Sequence, residues 1–299
     1  MDFKKALNSK RDLVNLAIEK TLDERFGEGR EESVLYKSCK HALSAGGKRI
    51  RPALILNACE ICGGKVEDAM YAAVAMEFIH TYSLIHDDLP AMDNADKRRG
   101  QPTIHTIYND GIAVLAGDTL LTEAFAVLAK GPEVRKLKAE TYLDVVAVVA
   151  AGAGVDGMVS GQELDLESEG KQIDLPTLQK LHYQKTAAMI KASLKAGALL
   201  GGADTNQAER LADYGDKIGL AFQIKDDLLD IEGDPIEMGK NTGGDENLNK
   251  ATYPALIGLE KSREEMMSLI NGAIDLLEPF GDDGWFLRHL AVLIAERSK

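Results

Sequence analysis

Proline is scarce in this chain, eight in 299 residues, so long stretches run without the residue that most firmly stops a helix. Cysteine is scarcer still: Cys39, Cys59 and Cys62 are odd in number, lie in apolar helical patterns, and leave Cys59-x-x-Cys62 without a second Cys or His pair for a zinc site. They read as reduced core thiols, which excludes a disulfide framework as the basis of the fold. Long apolar runs are missing too, since the longest, Val145 to Val155, falls well short of the roughly 20 residues of a spanning helix. The opening "MDFKKALNSKRDL" lacks the continuous apolar core of a signal peptide. Together these gaps predict a cytoplasmic protein with no stable membrane anchor. Positive charge is in deficit, 35 Lys plus Arg against 48 Asp plus Glu for a net −13, which opposes nucleic-acid binding. Any polyanion must therefore be met by cations gathered locally. No repeat, low-complexity tract or linker divides the chain, so residues 1–299 are expected to form one domain.

What is abundant is apolar residues at three- and four-residue spacing, the helical rather than the strand signature. The pattern predicts an all-α protein with helices near 3–25, 31–45, 49–62, 67–88, 112–129, 134–153, 174–200, 205–231, 249–278 and 283–297. Turn chemistry separates them: "GG" at 46, 63 and 201, "RRGQPT" after 98, "KGPE" at 130 and "NTGGDENLN" from 241. The economical architecture is a single-domain bundle of long helices that holds ligands in a central cavity between facing helices.

Two acidic clusters interrupt strongly apolar helices. In "FQIKDDLLD", Asp226 and Asp230 are i and i+4, about 40° apart on the helical wheel, with Gln223 one turn earlier. In "HDDLPAMDNADKRRG", Asp87 and Asp93 would point about 240° apart on a continuous helix. Pro90 disfavours helix through Leu89 and lets the chain loop back, bringing Asp93 beside Asp87 and Asp88. A run of Asp in an acidic protein is often only a solvated helix face, but these acids emerge from "IGLAFQI" and "EFIHTYSLI", where carboxylates are costly unless paired or metal-bound. Carboxylates on two facing helix ends suit Mg²⁺, which binds a few of them together with water and phosphate oxygens. Cations for the other phosphate oxygens stand near likely turns: Lys48, Arg49 and Arg51 after two glycines, Arg98 and Arg99, Lys185 with Thr186, and Lys240. His80, seven residues before Asp87, is about 20° from alignment with it and can line the same cavity.

With "GGKRIRP", "HDDLPAMDNADKRRG", "GQELDL", "QKT" and "FQIKDDLLD" in this order, the chain resembles the trans-isoprenyl diphosphate synthases, on the side of the bacterial-type farnesyl diphosphate synthases. The resemblance implies an isoprenoid synthase fold, a homodimer, three Mg²⁺ ions, and condensation of an allylic diphosphate with isopentenyl diphosphate. By the same resemblance Asp87, Asp88, Asp93 and Asp226 match metal ligands, and Asp227 and Asp230 complete the second motif. Lys48, Arg51, His80 and Arg99 match the isopentenyl diphosphate site. Arg98, Lys185, Thr186, Gln223, Lys240 and Lys250 match the allylic diphosphate site, with Arg98 and Lys185 counted among the catalytic set. Relatives commonly carry acids where this chain has Asn94 and Ala95, which implies at most an altered metal affinity. Tyr82 and Ser83, five and four residues before Asp87, match the floor that stops chain growth. The wheel places Ser83 about 40° from Asp87 and Tyr82 about 140° away, so by itself it leaves Tyr82 as ordinary packing. An aromatic at position 82 is similar to farnesyl-producing members. The alternatives are a geranylgeranyl diphosphate synthase, which usually has a smaller or more flexible residue there, and a non-catalytic subunit of a heteromeric synthase, which usually loses an acidic motif. A terpene cyclase generally lacks the isopentenyl site, and a phosphohydrolase leaves the second acidic helix unexplained.

Overall fold

Small and aliphatic side chains at helical spacing let the helices approach closely, and the computed structural model is a layered bundle built on that approach. It describes residues 2–27, 29–135, 137–232 and 251–297. The helices are α1 (Phe3–Phe26), α2 (Val34–Ser44), α3 (Ile50–Ile61), α4 (Val66–Asp87), α5 (Ile104–Ile107), α6 (Asp110–Arg135), α7 (Ala139–Ala153), α8 (Met158–Ser168), α9 (Leu175–His182), α10 (Ala188–Gly201), α11 (Thr205–Glu232), α12 (Tyr253–Ile257), α13 (Leu259–Leu276) and α14 (Trp285–Glu296). A π turn, Tyr183–Ala187, joins α9 to α10. A two-residue hairpin, β1 (Lys97–Arg98) with β2 (Gln101–Pro102), pairs Arg98 opposite Gln101.

Two apolar clusters form the core. One surrounds α4, where Ala72, Ala73, Ala75, Phe78 and Ile79 are fully buried against α6 residues such as Leu120, Ala124 and Leu128. The other surrounds α11 and contains Leu211, Tyr214, Ile218, Ile224, Phe286 and Leu287. Helices α3 and α10 serve both: Met189, Ala192 and Ala196 face the first cluster, and Ile190, Leu194 and Ala198 the second. Their contact is tight because Gly197 has no side chain; a Cβ there would lie 2.2 Å from the Ile55 carbonyl. Each fully buried Leu, Ile or Phe in these clusters contributes about 1.5–3 kcal/mol relative to exposure.

Four helix boundaries differ from the sequence pattern, each for a physical reason. Helix α6 runs through Gly131, which "KGPE" marks as a stop. The glycine is needed for packing instead, since a Cβ there would meet the Tyr142 ring at 2.0 Å. Helix α8, carrying "GQELDL", has no counterpart in the predicted helices. It forms against the π turn because Gly161 admits the Lys185 backbone nitrogen to 2.2 Å from a would-be Cβ. The predicted helix 174–200 is interrupted by that π turn. The described part of 249–278 breaks at Gly258, whose φ of 87° favours glycine. Segments 110–131 and 139–168 are long and apolar enough to cross a membrane by length and composition, with mean hydropathy 1.7 and 1.6. The second is broken between Ala153 and Met158, and the apolarity of the first serves the α4 contact.

Candidate active site

The first acidic cluster is a helix end that folds back on itself. Helix α4 stops at Asp87, the Asp88 N–H still reaches the Leu84 carbonyl, and the Asp93 N–H then donates to the Asp87 carbonyl at 2.9 Å. Asn94, at φ 48°, makes the return, and asparagine is among the residues that best tolerate this left-handed backbone. The loop expected from Pro90 therefore forms. Asp88, 5% exposed, accepts from Arg98 Nε at 2.7 Å, and Arg98 Nη2 stands 3.9 Å from Asp93 Oδ2. Gln162 Nε2 on α8 donates to Asp87 Oδ1. Burial pushes the carboxyls of Asp87 and Asp88 above the usual range, the nearby Asp93 charge pushes the same way, and Arg98 opposes both.

Across the cleft, α11 carries the second cluster within its last two turns, before Glu232, rather than in a loop that folds back. A cavity of about 140 Å³ is lined there by Asp165, His182, Lys185, Gln223, Asp226 and Asp227, among others. Lys185 Nζ lies 2.5 Å from Asp165 Oδ2, Thr186 Oγ1 donates to Gln223 Oε1 at 2.9 Å, and Arg297 Nη2 lies 2.5 Å from Asp226 Oδ1. The π turn presents Lys185 and Thr186 together; such local widening of a helix recurs at functional sites. Lys185 is close enough to pull down the Asp87 carboxyl, so it faces both acidic clusters. Asp227, 6% exposed, accepts the Tyr253 N–H at 2.9 Å and stands 4.0 Å from His182 Nε2. Burial lowers the His182 imidazole to about 4. Asp230 is also buried, and it is not among the residues lining this cavity.

The third group is cationic. Gly46 and Gly47 have φ of 87° and 124°, and a Cβ on Gly47 would sit 2.6 Å from the Arg99 guanidinium, so the double glycine lets Arg99 lie across the loop and donate to the Gly46 carbonyl. Arg49 leaves the phosphate candidates: its guanidinium is buried, bonded to Glu77 Oε1 at 2.6 Å, Asn15 Oδ1 at 2.9 Å and the Leu43 carbonyl. Arg51 Nε is buried with no hydrogen-bond partner. Burial together with Arg51, Arg99, Arg49 and Arg98 holds His80 well below the ordinary imidazole range, hence neutral. Lys48 and Arg51 line a cavity of about 150 Å³ that also touches Thr186, Phe222 and Arg297, which joins the basic loop to the α11 side.

Below Asp87, Tyr82 and Ser83 are 7% and 8% exposed. The Tyr82 ring meets His86 edge-on at 5.7 Å, and Ser83 Oγ donates to the His80 carbonyl at 3.0 Å. Lys240 and Lys250 lie outside the described residues. Four residues at the cleft carry no role in the sequence reading: Gln162, Asp165, Glu77 and Arg297. The motif "GQELDL" signals the first two, whereas Glu77 inside an apolar helix and Arg297 after the last one become legible only through their partners.

The donor set suits a hard divalent cation. Among the described residues no three His, Cys, Asp or Glu side chains converge as a closed cage, but the acids offer only oxygen and crowd one another at Asp87, Asp88 and Asp93. A hard cation that draws much of its shell from water and a ligand's phosphate fits this arrangement.

The polyprenyl synthetase family model matches residues 32–277. The chain is 42% identical to farnesyl diphosphate synthase of Geobacillus stearothermophilus over 97% of this chain and 96% of that one. It is 43% identical to geranylgeranyl diphosphate synthase of Cyanophora paradoxa over 94% of this chain and 93% of the relative. The crystal structure of an FPP/GFPP synthase from Zymomonas mobilis superposes with a TM-score of 0.83 at 37% identity, over 97% and 98% of the two chains. With its two acidic helices facing one cleft and this similarity over nearly its whole length, the chain belongs to the polyprenyl synthetase family.

Proposed function

We propose that the protein is a trans-prenyltransferase that joins isopentenyl diphosphate to dimethylallyl and geranyl diphosphate and makes farnesyl diphosphate as its main product. The observation that carries the reading is one cleft in which the partly buried carboxylates at the end of α4, with raised proton affinity, face Lys185 and the acids of α11, while Arg51, whose Nε has no partner, and neutral His80 stand on the α3–α4 side. When bound, magnesium, taken as three ions, would be held by Asp87, Asp88, Asp93 and Asp226 and would stabilise charge on the departing pyrophosphate.

The chain's own residues do the rest. Arg98 and Lys185 exchange their internal carboxylates for allylic diphosphate oxygens, with Thr186, Gln223, Lys240 and Lys250 on the same side, so the leaving group finds donors already in place. Lys48, Arg51, His80 and Arg99 hold isopentenyl diphosphate. Its double bond must reach the allylic cation before water does, so the apolar faces of α4, α6 and α10 matter as much as the charges. The new double bond forms as a proton leaves to the pyrophosphate. Asp227 and Asp230 support the α11 acidic face from within the helix packing.

Tyr82 and Ser83 are read as the floor that limits product length, supported by their burial one turn below Asp87. Geranylgeranyl diphosphate is the second reading, favoured by the similarity to the Cyanophora enzyme. Incubation with isopentenyl and geranyl diphosphates and magnesium, followed by product chromatography, decides between them; a main product of 20 carbons overturns the first. Tyr82→Ala is expected to add longer products and Ser83→Phe to shift output toward geranyl diphosphate. An unchanged distribution in both variants would place the floor elsewhere.

The remaining assignments are a homodimer, a single domain and a cytoplasmic site of action. Exposed Ile107, Tyr108, Val114 and Leu115, 38–54% accessible at the start of α6 and just before it, offer an apolar face for a second copy, testable by sedimentation. Residues outside 32–277 join the same two cores, Val14 and Ile18 in one and Phe286 and Leu287 in the other, which supports reading 1–299 as one domain. The free thiols Cys39, Cys59 and Cys62 accord with a reducing compartment.

A further inference from the structure

Arg297 follows the last helix, outside the matched family region of 32–277, and reaches back to α11. Its Nη2 donates to the Phe222 carbonyl at 2.9 Å and to Asp226 Oδ1 at 2.5 Å, and its guanidinium lies over the Phe222 ring at 4.0 Å. Nε is buried with no hydrogen-bond partner. The side chain is 13% exposed, Asp226 45%. Arg297 also lines the cavity that contains Lys48 and Arg51, so one cation stands between the α11 acid and the basic loop.

We infer that Arg297 is a latch on the second acidic motif: in the ligand-free chain it holds Asp226, and magnesium with a diphosphate must displace it to bind. The inference rests on reading Asp226 as a metal ligand. A carboxylate oxygen engaged by a guanidinium has lost a coordination position and part of its field to a fixed positive charge, so the metal binds in competition. The Phe222 ring and carbonyl remain when Asp226 turns away, and stacking on an aromatic face keeps the released guanidinium at the cleft. Because Asp226 is nearly half exposed, solvent screens the pair, and the competition is modest. It corresponds to about three- to tenfold in affinity.

The test is a calorimetric titration of the full chain with magnesium chloride and inorganic pyrophosphate, comparing wild type with Arg297→Gln. The variant is expected to bind about three- to tenfold more tightly. It should also melt lower than wild type without ligand, and the gap should narrow at saturating magnesium and pyrophosphate, because the Asp226 pair stabilises only the ligand-free state whereas the Phe222 contacts persist in both. A purely structural Arg297 would lower both melting points by the same amount. In an Asp226→Asn background, Arg297→Gln should lower the ligand-free melting point by less than it does in wild type, the difference being the Asp226 pair that a double-mutant cycle isolates from the Phe222 contacts. Equal or weaker binding by Arg297→Gln overturns the latch. If wild type binds and Asp226→Asn weakens that binding, the metal reading survives such a failure; if Asp226→Asn binds as wild type does, both readings fall together.

Discussion

On the wall built by α3, α4 and the 97–102 hairpin, Arg49, Arg51, Arg99 and His80 gather around the buried Glu77, and burial first, with their mutual repulsion after it, lowers the proton affinities of Arg51, Arg99 and His80. On the wall built by α8, the π turn and α11, cations are already matched with acids: Lys185 with Asp165, Arg297 with Asp226. The difference teaches how two diphosphates can be told apart by one cleft. A wall with surplus positive charge, held rigid by a buried ion pair, can take a diphosphate directly. Under the proposed function, a wall of internal ion pairs exchanges partners when its ligand arrives, and its acids act through the divalent cation they would hold.

The harshest way to break this comparison is to remove one acid from each cluster. Asp87→Ala and Asp226→Ala should each lower turnover on the order of 10³-fold at saturating magnesium, the upper range for losing one element of charge stabilisation. Steady-state condensation assays check it, and near-normal rates in either variant would sink the metal assignment. Removing Glu77 attacks the other wall. Glu77→Gln leaves Arg49 buried without a counter-ion and should cost about 3 kcal/mol in urea unfolding; an unchanged midpoint would mean the basic wall is not held by this pair.

A finer test separates the substrates. Lys48→Ala or Arg51→Ala should weaken isopentenyl diphosphate about tenfold or more, with little effect on the allylic partner, and Lys185→Ala should do the reverse. Apparent affinities for both substrates measured side by side decide it, and equal losses in every variant would erase the distinction between the walls. The smallest effect concerns stability. The carboxyl of Asp87 is raised by burial above its ordinary value of 3.8, so its favourable contribution, present below the unfolded pKa, is lost as pH rises through the folded one. At pH 7 the ionised group therefore costs stability. Asp87→Asn, which can still accept from Gln162, should raise the melting temperature by about 1–2 °C at pH 7, and the gain should narrow as pH falls into the carboxylate range. A lower melting point would show that the acid stabilises the ligand-free fold.

Helical class, the two acidic motifs and the break after Asp87 were legible in the sequence because each is local. Periodicity of 3.6 residues marks a buried face, i and i+4 acids share a surface, and Pro90 disfavours helix through the residue before it. Tertiary structure alone decided which charges are available. Arg49 and Arg51 look equivalent in "GGKRIRP", yet one is consumed by Glu77 and the other keeps a buried, unpartnered Nε, because their backbone angles and neighbours on α4 differ. Likewise Gly131 looks like a helix stop in "KGPE" and is instead a contact point for Tyr142, as Gly161 is for the Lys185 backbone. Arg297 meets Asp226 across 71 residues, a partnership that no spacing announces. Local chemistry repeats at fixed intervals along the chain, whereas the pairing of charges depends on which helices touch.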